Sequence, residues 1–473
     1  PAAPRKPRRL LLFDVNVTYG GHPARFAAND AFTLMGRTTG AFEAVVSRDP
    51  EVFRPESLKQ FDAVCFNSTV GLLFDDPVFQ QSLADFVYGG GGLLGVHAST
   101  FAFIDWGGKR GDTWPEFGIM LGARGGAHGA GDELVTVKLD DPIHPLNAAF
   151  DGRGFDYRDE FFRVQEHYSR DRIRVLFSID GAKTDLAAQK LPDHLKQADG
   201  DYALAWVRNY GRGRVCYCTI GHNPQVFADP TMLSFYLGAI QFVLGDLPAP
   251  TLPSNRLTPA VRAQEALGWR FGMTAYSLHK YTFFETVDKT AELGLSYINS
   301  LSFQKVSEEI PKMFGPELAD EEIRQIRRKQ DAGHVRLVTH FIGRIPSDEA
   351  GCRRVFEFAR KLGIETLISE PPLADLDQIE RFCDEYDVQL AIHNHGEKES
   401  PNYWHPEKVM AVCQGRSPRI GVCAAIGYWL RAGVDPLQGI RPIGDRIPVG
   451  EMPDLDVGGP QGKDVTWEHG PGG

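Results

Sequence analysis

Three apolar segments near the C-terminal end of the chain each run into polar or aromatic residues. They are ETLISEPP with Glu370, VQLAIHNHG with His393 and His395, and RIGVCAAIGYW, which we expect to end around Tyr428. Helix-like segments separate them, ADLDQIERFCDEY and PEKVMAVCQG. Strand and helix alternating at about 25 to 30 residues per unit is typical of a parallel α/β barrel, whose active site lies at the C-terminal ends of the strands. The pattern therefore predicts a barrel with its chemistry at these positions.

The polar residues at these strand ends suggest separate roles. We expect Glu370 to act as a carboxylate base or metal ligand. We expect only one of the two histidines to face the barrel interior: His395, which is nearer the end of its strand, with His393 packing outward. Aromatic side chains near the same loops could stack on a bound substrate, and Trp404 is our candidate for substrate binding. The alternative for these aromatic residues is packing in the core or at helix ends.

Composition limits the class of protein. The chain has 473 residues with 42% hydrophobic content, enough for two or three domains with large cores. Lys and Arg number 51 against 62 Asp and Glu, and the net charge of −11 argues against nucleic acid or an anionic membrane as partner. No run of about 18 apolar residues occurs, so no membrane span is predicted. The seven scattered cysteines are predicted to be buried small hydrophobic residues, not disulfides or a zinc site.

The first residues, PAAPRKPRRLLLF, begin with small residues and lack a starting Met. Such a start is typical of a mature protein after removal of a signal peptide. We therefore expect a periplasmic or secreted protein, with a cytoplasmic location as the alternative.

The first half of the chain also alternates strands and helices. RRLLLFDV, FDAVCFNST and GLLGVHAST are predicted strands, and DPVFQQSLADFVYGG is a predicted helix that ends at glycines. Further strands are ELVTVKL, IRVLFSI, YALAWVRNY and GRVCYCTIG, before a closing helix in DPTMLSFYLGAIQFVLG. This order predicts an open doubly wound sheet, which binds ligands at the C-terminal ends of its strands. The run Gly89 to Gly92 is predicted to be a tight turn, because no Gly-Lys-Ser/Thr follows it.

Histidines and acids collect at those strand ends and in adjoining loops. They are His97, His128, His144, Asp159, Glu160 and His222. A single histidine in a loop usually packs or caps a helix, but several beside a carboxylate can ligate a metal or perform acid–base chemistry. Both alternatives stay open from the sequence.

A family resemblance rests on five motifs that occur in order. FDAVCFNSTVG, GGGGLLGVHAST, DPIHP, RDEFF and GRVCYCTIGHNPQVFADP resemble the ThuA-like (trehalose-utilisation) family over about residues 8 to 245. The resemblance implies a flavodoxin-like fold similar to class I glutamine amidotransferase domains, and a role in disaccharide and modified-sugar metabolism. Amidotransferases place a nucleophilic Cys after the central strand, where this chain has His97, so amide hydrolysis is not expected. The resemblance implies a pocket formed by His97, His128, Glu160 and His222.

A segment rich in Pro, LPAPTLPSNRLTPA, precedes the barrel, so we predict a first domain over 1–248, a linker over 249–264 and a barrel domain over 265–473. GMTAYSLHKYTFFETVDKTAELGLSYI, KLGIETLISEPP, LAIHNHG and SPRIGVCAAIGYWLRAGVDP resemble the sugar phosphate isomerase/epimerase family of xylose isomerase-like TIM barrels. ThuA-like domains fused to such barrels resemble a known bacterial arrangement.

The barrel resemblance implies a divalent metal, Mn, Mg or Zn, held by Glu, Asp, His and Glu at four strand ends. Glu370 matches the first ligand. The expected Asp falls at Ala425, and the neighbouring His falls at Tyr428. The seventh-strand His would lie close to Glu451. The last Glu belongs to an eighth strand that this sequence lacks, since KDVTWEHGPGG resembles the loop before the final helix and strand.

Three interpretations follow for the barrel: loss of the family's metal site, a rebuilt site from Glu370, His393, His395 and Glu451, or a sequence incomplete at its end. An incomplete barrel has exposed strand edges, so a homo-oligomer is expected. The favoured function is isomerase- or epimerase-like action on a small carbohydrate, a sugar or a keto-glycoside, with Glu370, His395 and Glu160 as catalytic residues. The alternatives are a non-catalytic sugar-binding or assembly protein, or chemistry confined to the first domain.

Overall fold

The computed structural model of the chain describes residues 2–4, 6–17, 19–105, 110–165, 167–186 and 200–452, and the backbone of 455–456 and 463–464. The chain forms two compact units, Pro1–Arg270 and Phe271–Gly473. The division lies a few residues beyond the boundary predicted from the Pro-rich segment.

The first unit is built on a sheet of nine strands in the order β2-β1-β3-β5-β13-β12-β11-β8-β9. Two short pairs, β4 with β6 and β7 with β10, lie outside it. The strands are β1 Arg9–Phe13, β2 Glu43–Ser47, β3 Ala63–Asn67, β4 Val70–Gly71, β5 Gly92–Val96, β6 Phe101–Ala102, β7 Arg124–His128, β8 Glu133–Leu139, β9 Phe155–Asp159, β10 Phe162–Gln165, β11 Arg174–Ile179, β12 Ala203–Tyr210 and β13 Gly213–Cys218. The helices are α1 Ala24–Thr39, α2 Pro55–Leu58, α3 Pro77–Tyr88, α4 Pro115–Leu121, α5 Pro230–Leu244 and α6 Pro259–Leu267.

Five neighbouring strands of this sheet, β2, β1, β3, β5 and β13, are parallel. Their order matches the flavodoxin-like arrangement 2-1-3-4-5. The central strands β3 and β5 are buried along their whole length, as expected for parallel strands covered by helices on both faces. The first unit therefore has the predicted flavodoxin-like, doubly wound core.

The other half of the sheet differs from a simple doubly wound sheet. Strands β12, β11, β8 and β9 pair antiparallel, extending the parallel half from β13. Short connections such as Gly211 with φ +58 allow β12 to turn directly into β13. The sequence pattern did not indicate this change, because alternating apolar strands look alike whichever way they pair.

The second unit is a curved sheet of seven parallel strands in chain order, β14 to β20. Its strands are β14 Met273–Thr274, β15 Tyr297–Leu301, β16 Arg336–Phe341, β17 Thr366–Ser369, β18 Gln389–Ile392, β19 Ile420–Ala425 and β20 Val449–Glu451, followed by the pair β21 Leu455–Asp456 and β22 Lys463–Asp464. Its helices are α7 Phe283–Glu292, α8 Asp320–Gly333, α9 Glu349–Lys361, α10 Leu376–Tyr386, α11 Pro406–Cys413, α12 Ile426–Arg431 and α13 Pro436–Ile443. Over the described residues, this is a TIM-type barrel lacking one strand.

Two details of the barrel differ from the sequence interpretation. The sixth strand ends at Ala425, and Tyr428 lies in α12 and not on the strand. The first strand, Met273–Thr274, has only two residues, because a 3-10 turn begins at Ala275. The predicted seventh strand is present as β20, whereas Pro453 and most of KDVTWEHGPGG lie outside the described residues.

The predicted linker is in contact with the first unit. The Ser254 amide donates to the Ile173 carbonyl at 3.0 Å, and the Ser254 hydroxyl accepts from the Val175 amide at 2.9 Å. In α6, Glu265 forms an ion pair with the buried Arg174. The Pro-rich composition of the segment does not make it a solvated tether, since Pro sets local backbone angles and not tertiary contacts.

The seven cysteines are free and buried, as predicted. Across the described parts of the chain, none of the helices combines the length and apolar character needed to cross a bilayer.

Candidate functional site

One edge of the first unit gathers histidines around a carboxylate. His22 follows β1, His97 follows β5, and His222 follows β13. Glu160 lies between β9 and β10, and His128 ends β7. Because β1, β5 and β13 are parallel, their C-terminal ends open on the same edge of the sheet, which is where such folds bind ligands.

Glu160 is the centre of this cluster. Its Oε2 lies 3.2 Å from Nδ1 of His222, 3.4 Å from Nε2 of His97 and 3.9 Å from Nε2 of His22. Its Oε1 lies 3.0 Å from Nδ1 of His128. Four imidazoles therefore share one carboxylate, and His128, whose side chain is 43% exposed, is the most accessible of them.

The position of His97 is set by backbone strain and one buried hydrogen bond. His97 has φ +50, a left-handed conformation that is uncommon for a residue other than glycine, at the first position of the 3-10 turn His97–Thr100. Its Nδ1 donates to the carbonyl of Thr219 at 2.8 Å, because a carbonyl oxygen can only accept. Its Nε2 is consequently the nitrogen that faces Glu160 and His222.

The neighbouring acid, Asp159, holds the loop that carries His222. Its two carboxylate oxygens accept from the amides of Gly221, His222 and Asn223 at 2.7, 3.1 and 2.9 Å. Asp159 is fully buried. Three backbone bonds to one carboxylate make a rigid loop, so Asp159 positions His222 without facing the pocket itself.

Burial and shared contacts set the charges of the cluster. Burial, reinforced by the nearby His97 and His222, lowers the pKa of His22 to about 3, so this imidazole is neutral near neutral pH. The hydrogen bond with Glu160 raises the pKa of His222. Burial works to raise the pKa of Glu160, but His222 and His97 outweigh it and leave the pKa well below its usual value. The site thus has an ionised carboxylate, Glu160, beside at least one neutral imidazole, His22.

The structure brings together the four residues that the sequence singled out in this unit, His97, His128, Glu160 and His222. It adds His22, which sequence reasoning missed. The available signal was its place just after an apolar strand, since parallel strands present polar residues at their C-terminal ends. His144 has a different role: it is buried, it caps the turn Pro145–Phe150, and its Nε2 bonds the Pro250 carbonyl at 3.0 Å.

The barrel has a second polar cluster at the ends of β17, β18 and β20. Nδ1 of His393 lies 3.5 Å from Oε1 of Glu370, and its Nε2 lies 3.3 Å from Oε2 of Glu451. Glu370 also contacts Nδ1 of His395. The cluster therefore joins Glu370, His393, His395 and Glu451.

The expectation that His393 packs outward was wrong. The imidazoles of His393 and His395 lie side by side, with ring centres 4.4 Å apart, and both contact Glu370. Residues two apart in an extended chain point to the same side, and β18 ends at Ile392 before either histidine. It is Asn394, between them, that points elsewhere, and its side chain bonds the Ala425 amide at 3.0 Å and the Ala425 carbonyl at 3.2 Å.

The charges in the barrel cluster differ from those of the first. Burial works to lower the pKa of His393, but Glu370 and Glu451 outweigh it and raise the pKa to about 9. Burial likewise works to raise the pKa of Glu370, but His393 and His395 lower it to about 2. His393 is therefore an imidazolium held between two carboxylates.

The metal set implied by the barrel family does not fit these residues. Ala425 occupies the Asp position and offers no ligand atom, and its backbone polar groups are bonded to Asn394. Glu370, His393 and His395 do form a group that could hold a divalent metal in another arrangement.

Two aromatic side chains near the barrel cluster, Tyr428 and Trp404, differ in what they contact. The Tyr428 ring meets the His395 ring edge to face with centres 5.0 Å apart. Trp404 packs instead against its neighbours, with the His405 ring centre at 5.0 Å and Lys408 Nζ 5.5 Å from its own ring centre. Its place in substrate binding stays a prediction.

Comparison with known proteins identifies a family for the first part of the chain. The family model for ThuA, described as trehalose utilisation, matches residues 9–243. Among curated proteins, no match to the chain was found.

Solved structures resemble the chain in part. An uncharacterised protein from Parabacteroides distasonis is 32% identical, over 38% of this chain and 73% of that one, with a TM-score of 0.34. A ThuA-like protein from Bacteroides uniformis is 19% identical over 51% and 92%, with a TM-score of 0.42. A xylose isomerase domain protein from Planctomyces limnophilus is 12% identical over 38% and 73%, with a TM-score of 0.30. Over residues 9–243, this chain belongs to the ThuA family.

Proposed function

We propose that this protein is an enzyme acting on a glycoside or keto-glycoside, with its reaction centre at the Glu160 cluster of the first unit. The observation that carries this proposal is the convergence of four imidazoles on the Glu160 carboxylate at 3.0 to 3.9 Å. Buried titratable groups with strongly shifted pKa values are typical of reaction centres. The trehalose-utilisation description of the family supports a sugar as substrate.

The residues of this cluster suit proton transfer next to a carbonyl group. Such a reaction needs a base that removes a proton from carbon and an electrophilic group at the carbonyl oxygen. His128 is accessible and contacts Glu160, so it is our candidate base. His222, whose pKa Glu160 raises, is the candidate group facing the carbonyl oxygen. The buried His97, anchored to Thr219, fixes the geometry of both neighbours.

The test is turnover of a panel of glycosides and keto-glycosides, together with exchange of substrate protons for solvent deuterium followed by NMR. Glu160→Gln keeps the size of the side chain and removes its charge. We expect it to lower the rate by about 10²- to 10⁴-fold, the usual contribution of acid–base groups. Glu43→Gln, on the exposed β2 of the same unit, is the matched control and should behave as the wild type. Full activity of Glu160→Gln would contradict the proposal.

A second candidate function belongs to the barrel, and the line Glu370–His393–Glu451 favours it. An imidazolium between two carboxylates can pass a proton from one side of a bound sugar to the other, as an epimerase requires. We propose that this centre does not use the metal set of its family, since Ala425 stands in place of Asp. Loss of turnover in Glu370→Gln, with turnover retained in Glu160→Gln, would move the reaction to the barrel.

A non-catalytic role has its own expected outcome. If the wild-type protein turns over none of the sugars but binds one of them, and Glu370→Gln abolishes that binding, the barrel is a sugar-binding module. Calorimetry with the same sugar panel measures this directly.

A further inference from the structure

We propose that His22, His97, His222 and Glu160 bind one divalent transition-metal ion of the zinc class. The inference rests on the proposed function and deepens it: the ion, held in part by His222, would take over from His222 the role of electrophile at that centre. Four single atoms converge there: Nε2 of His22, Nε2 of His97, Nδ1 of His222 and Oε2 of Glu160.

The spacing of these atoms is that of a tetrahedral site. Bond lengths of about 2.0 to 2.1 Å to zinc place neighbouring ligand atoms roughly 3.3 Å apart. Glu160 Oε2 lies 3.2 Å from His222 and 3.4 Å from His97, and the two histidine nitrogens lie 3.3 Å from each other. His22 lies farther away, with its Nε2 3.9 Å from Glu160 Oε2, and would move inward to bind the ion. All the candidate ligand atoms lie within 4.8 Å of one another.

The identity of the donors selects the class of metal. Three imidazoles and one carboxylate suit zinc and its transition-metal neighbours, whereas Mg²⁺ and Ca²⁺ prefer oxygen ligands. A ligating imidazole must be neutral at the donating nitrogen. The Thr219 carbonyl keeps the proton of His97 on Nδ1, which leaves Nε2 available.

The hydrogen bonds that hold these side chains in place are those expected around a metal site. Metal-bound histidines usually donate their other N–H to a carbonyl or carboxylate that fixes the ring, as His97 does to Thr219. Asp159 fixes the loop of His222 through three backbone amides. Two of the four ligands are thus held rigidly before any ion arrives, which lowers the cost of ordering them on binding.

His22 provides a separate observation. Its side chain is only 5% exposed, and among the described residues its Nδ1 has no hydrogen-bond partner. Its Nε2 is 3.9 Å from Glu160, beyond hydrogen-bond length. Burying an imidazole so poorly paired costs free energy, and a bond from Nε2 to a metal would offset that cost.

His128 lies outside this set. It contacts the other oxygen of Glu160, its Nδ1 also lies 2.8 Å from the Gly129 carbonyl, and it is largely accessible. It therefore stays available as the base. When bound, the ion supplies Lewis-acid polarisation of a sugar oxygen.

The experiment is zinc titration of the full-length protein after removal of metal with a chelator, with stoichiometry from elemental analysis. The wild type should bind one equivalent, and Mg²⁺ should not compete. His97→Gln and His22→Gln should each weaken zinc binding by at least about tenfold, since even supporting residues contribute 10- to 100-fold. His128→Gln is the matched control and should bind zinc as the wild type does. Unfolding temperatures of the metal-free variants report whether each one folds.

The inference is overturned if the wild type binds no stoichiometric zinc, or if zinc is lost in Glu370→Gln and kept in His97→Gln. Should His97→Gln fail to fold, the wild-type and His22→Gln titrations still decide. Binding is measured without sugar, so this inference and the proposed function fail separately. Glu160-dependent turnover without zinc would contradict only the metal, and zinc binding without any turnover would contradict only the enzyme.

Discussion

Both units place histidines and carboxylates at the ends of parallel strands, but the two clusters differ in how these groups are arranged. In the first, one carboxylate, Glu160, is shared by four imidazoles. In the barrel, one imidazole, His393, lies between the carboxylates of Glu370 and Glu451. Burial, with His97 and His222 adding to it, lowers the pKa of His22 to about 3. In the barrel, burial is outweighed by Glu370 and Glu451, which raise the pKa of His393 to about 9.

This difference shows that residue types alone do not decide the chemistry of a site. A neutral imidazole offers a lone pair to a metal ion, whereas an imidazolium offers only N–H groups. Four imidazoles around one carboxylate therefore favour metal binding, whereas an imidazole that lies between two carboxylates favours charged acid–base chemistry. Four predictions test this contrast.

The largest expected effect is loss of stability of the first unit in acid. Between pH 6.5 and 3, unfolded His22 takes up a proton that the folded, metal-free protein does not bind, so stability falls as the pH is lowered. We expect His22→Gln to remove on the order of 3 kcal/mol of this pH dependence. The measurement is urea unfolding at a series of pH values. Hydrogen exchange in peptides from residues 2–270 follows the unfolding, so that the first unit is observed separately. His279→Gln, an exposed histidine, is the control, and equal slopes in wild type and His22→Gln would contradict the charge assignment.

The barrel should respond in the opposite direction. Folded His393 keeps its proton up to a pKa of about 9, against 6.5 when unfolded. Its stabilising effect is therefore fully present below pH 6.5 and is lost as the pH rises to about 9. His393→Gln should lower the free energy of unfolding by on the order of 2 kcal/mol at pH 6.5 and by much less at pH 9. A difference that does not change with pH would show that His393 is not charged in the folded barrel.

Replacing the acid that supports His222 should destabilise the first unit without touching the pocket directly. Asp159→Asn leaves a single acceptor oxygen for three amides, at a cost of about 2 kcal/mol in the free energy of unfolding. Asp156→Asn, exposed on the same strand, should change stability by less than about 0.5 kcal/mol. Urea denaturation of both variants measures the difference, and equal values would remove Asp159 from its positioning role.

The smallest effect concerns the barrel loop. Asn394→Ala removes two hydrogen bonds to the backbone of Ala425, and we expect a loss of about 1 to 2 kcal/mol in unfolding free energy. Asn402→Ala, on an exposed turn nearby, serves as comparison. Thermal unfolding at pH 7 detects the difference. No loss in Asn394→Ala would mean that these bonds do not hold the two histidines in place.

Much of the fold followed from local patterns. Apolar runs separated by amphipathic helices predicted both sheets, and the glycines after Tyr88 predicted the end of α3. His97 could be placed because a polar residue interrupts a fully apolar strand. The antiparallel half of the first sheet could not be predicted in this way, because strand direction depends on partners distant in sequence.

Some residues of the candidate sites could likewise be predicted from the sequence, and others could not. Sequence position was enough to nominate Glu370, which follows an apolar strand, whereas Glu160 was nominated through the RDEFF motif of the family resemblance. His22 was missed, because only the pairing of β1 with β3, and of β3 with β5, brings its loop beside His97. His393 was misplaced, because β18 ends one residue before it.

By itself, the amino-acid sequence determined the two sheets, the order of their elements and the residues that stand at the strand ends, because hydrophobic periodicity is local. Only the tertiary structure decided which strand ends meet and how many carboxylates each histidine faces. Those distances set the charges of His22 and His393, since electrostatic interactions depend on separation and burial and not on position along the chain.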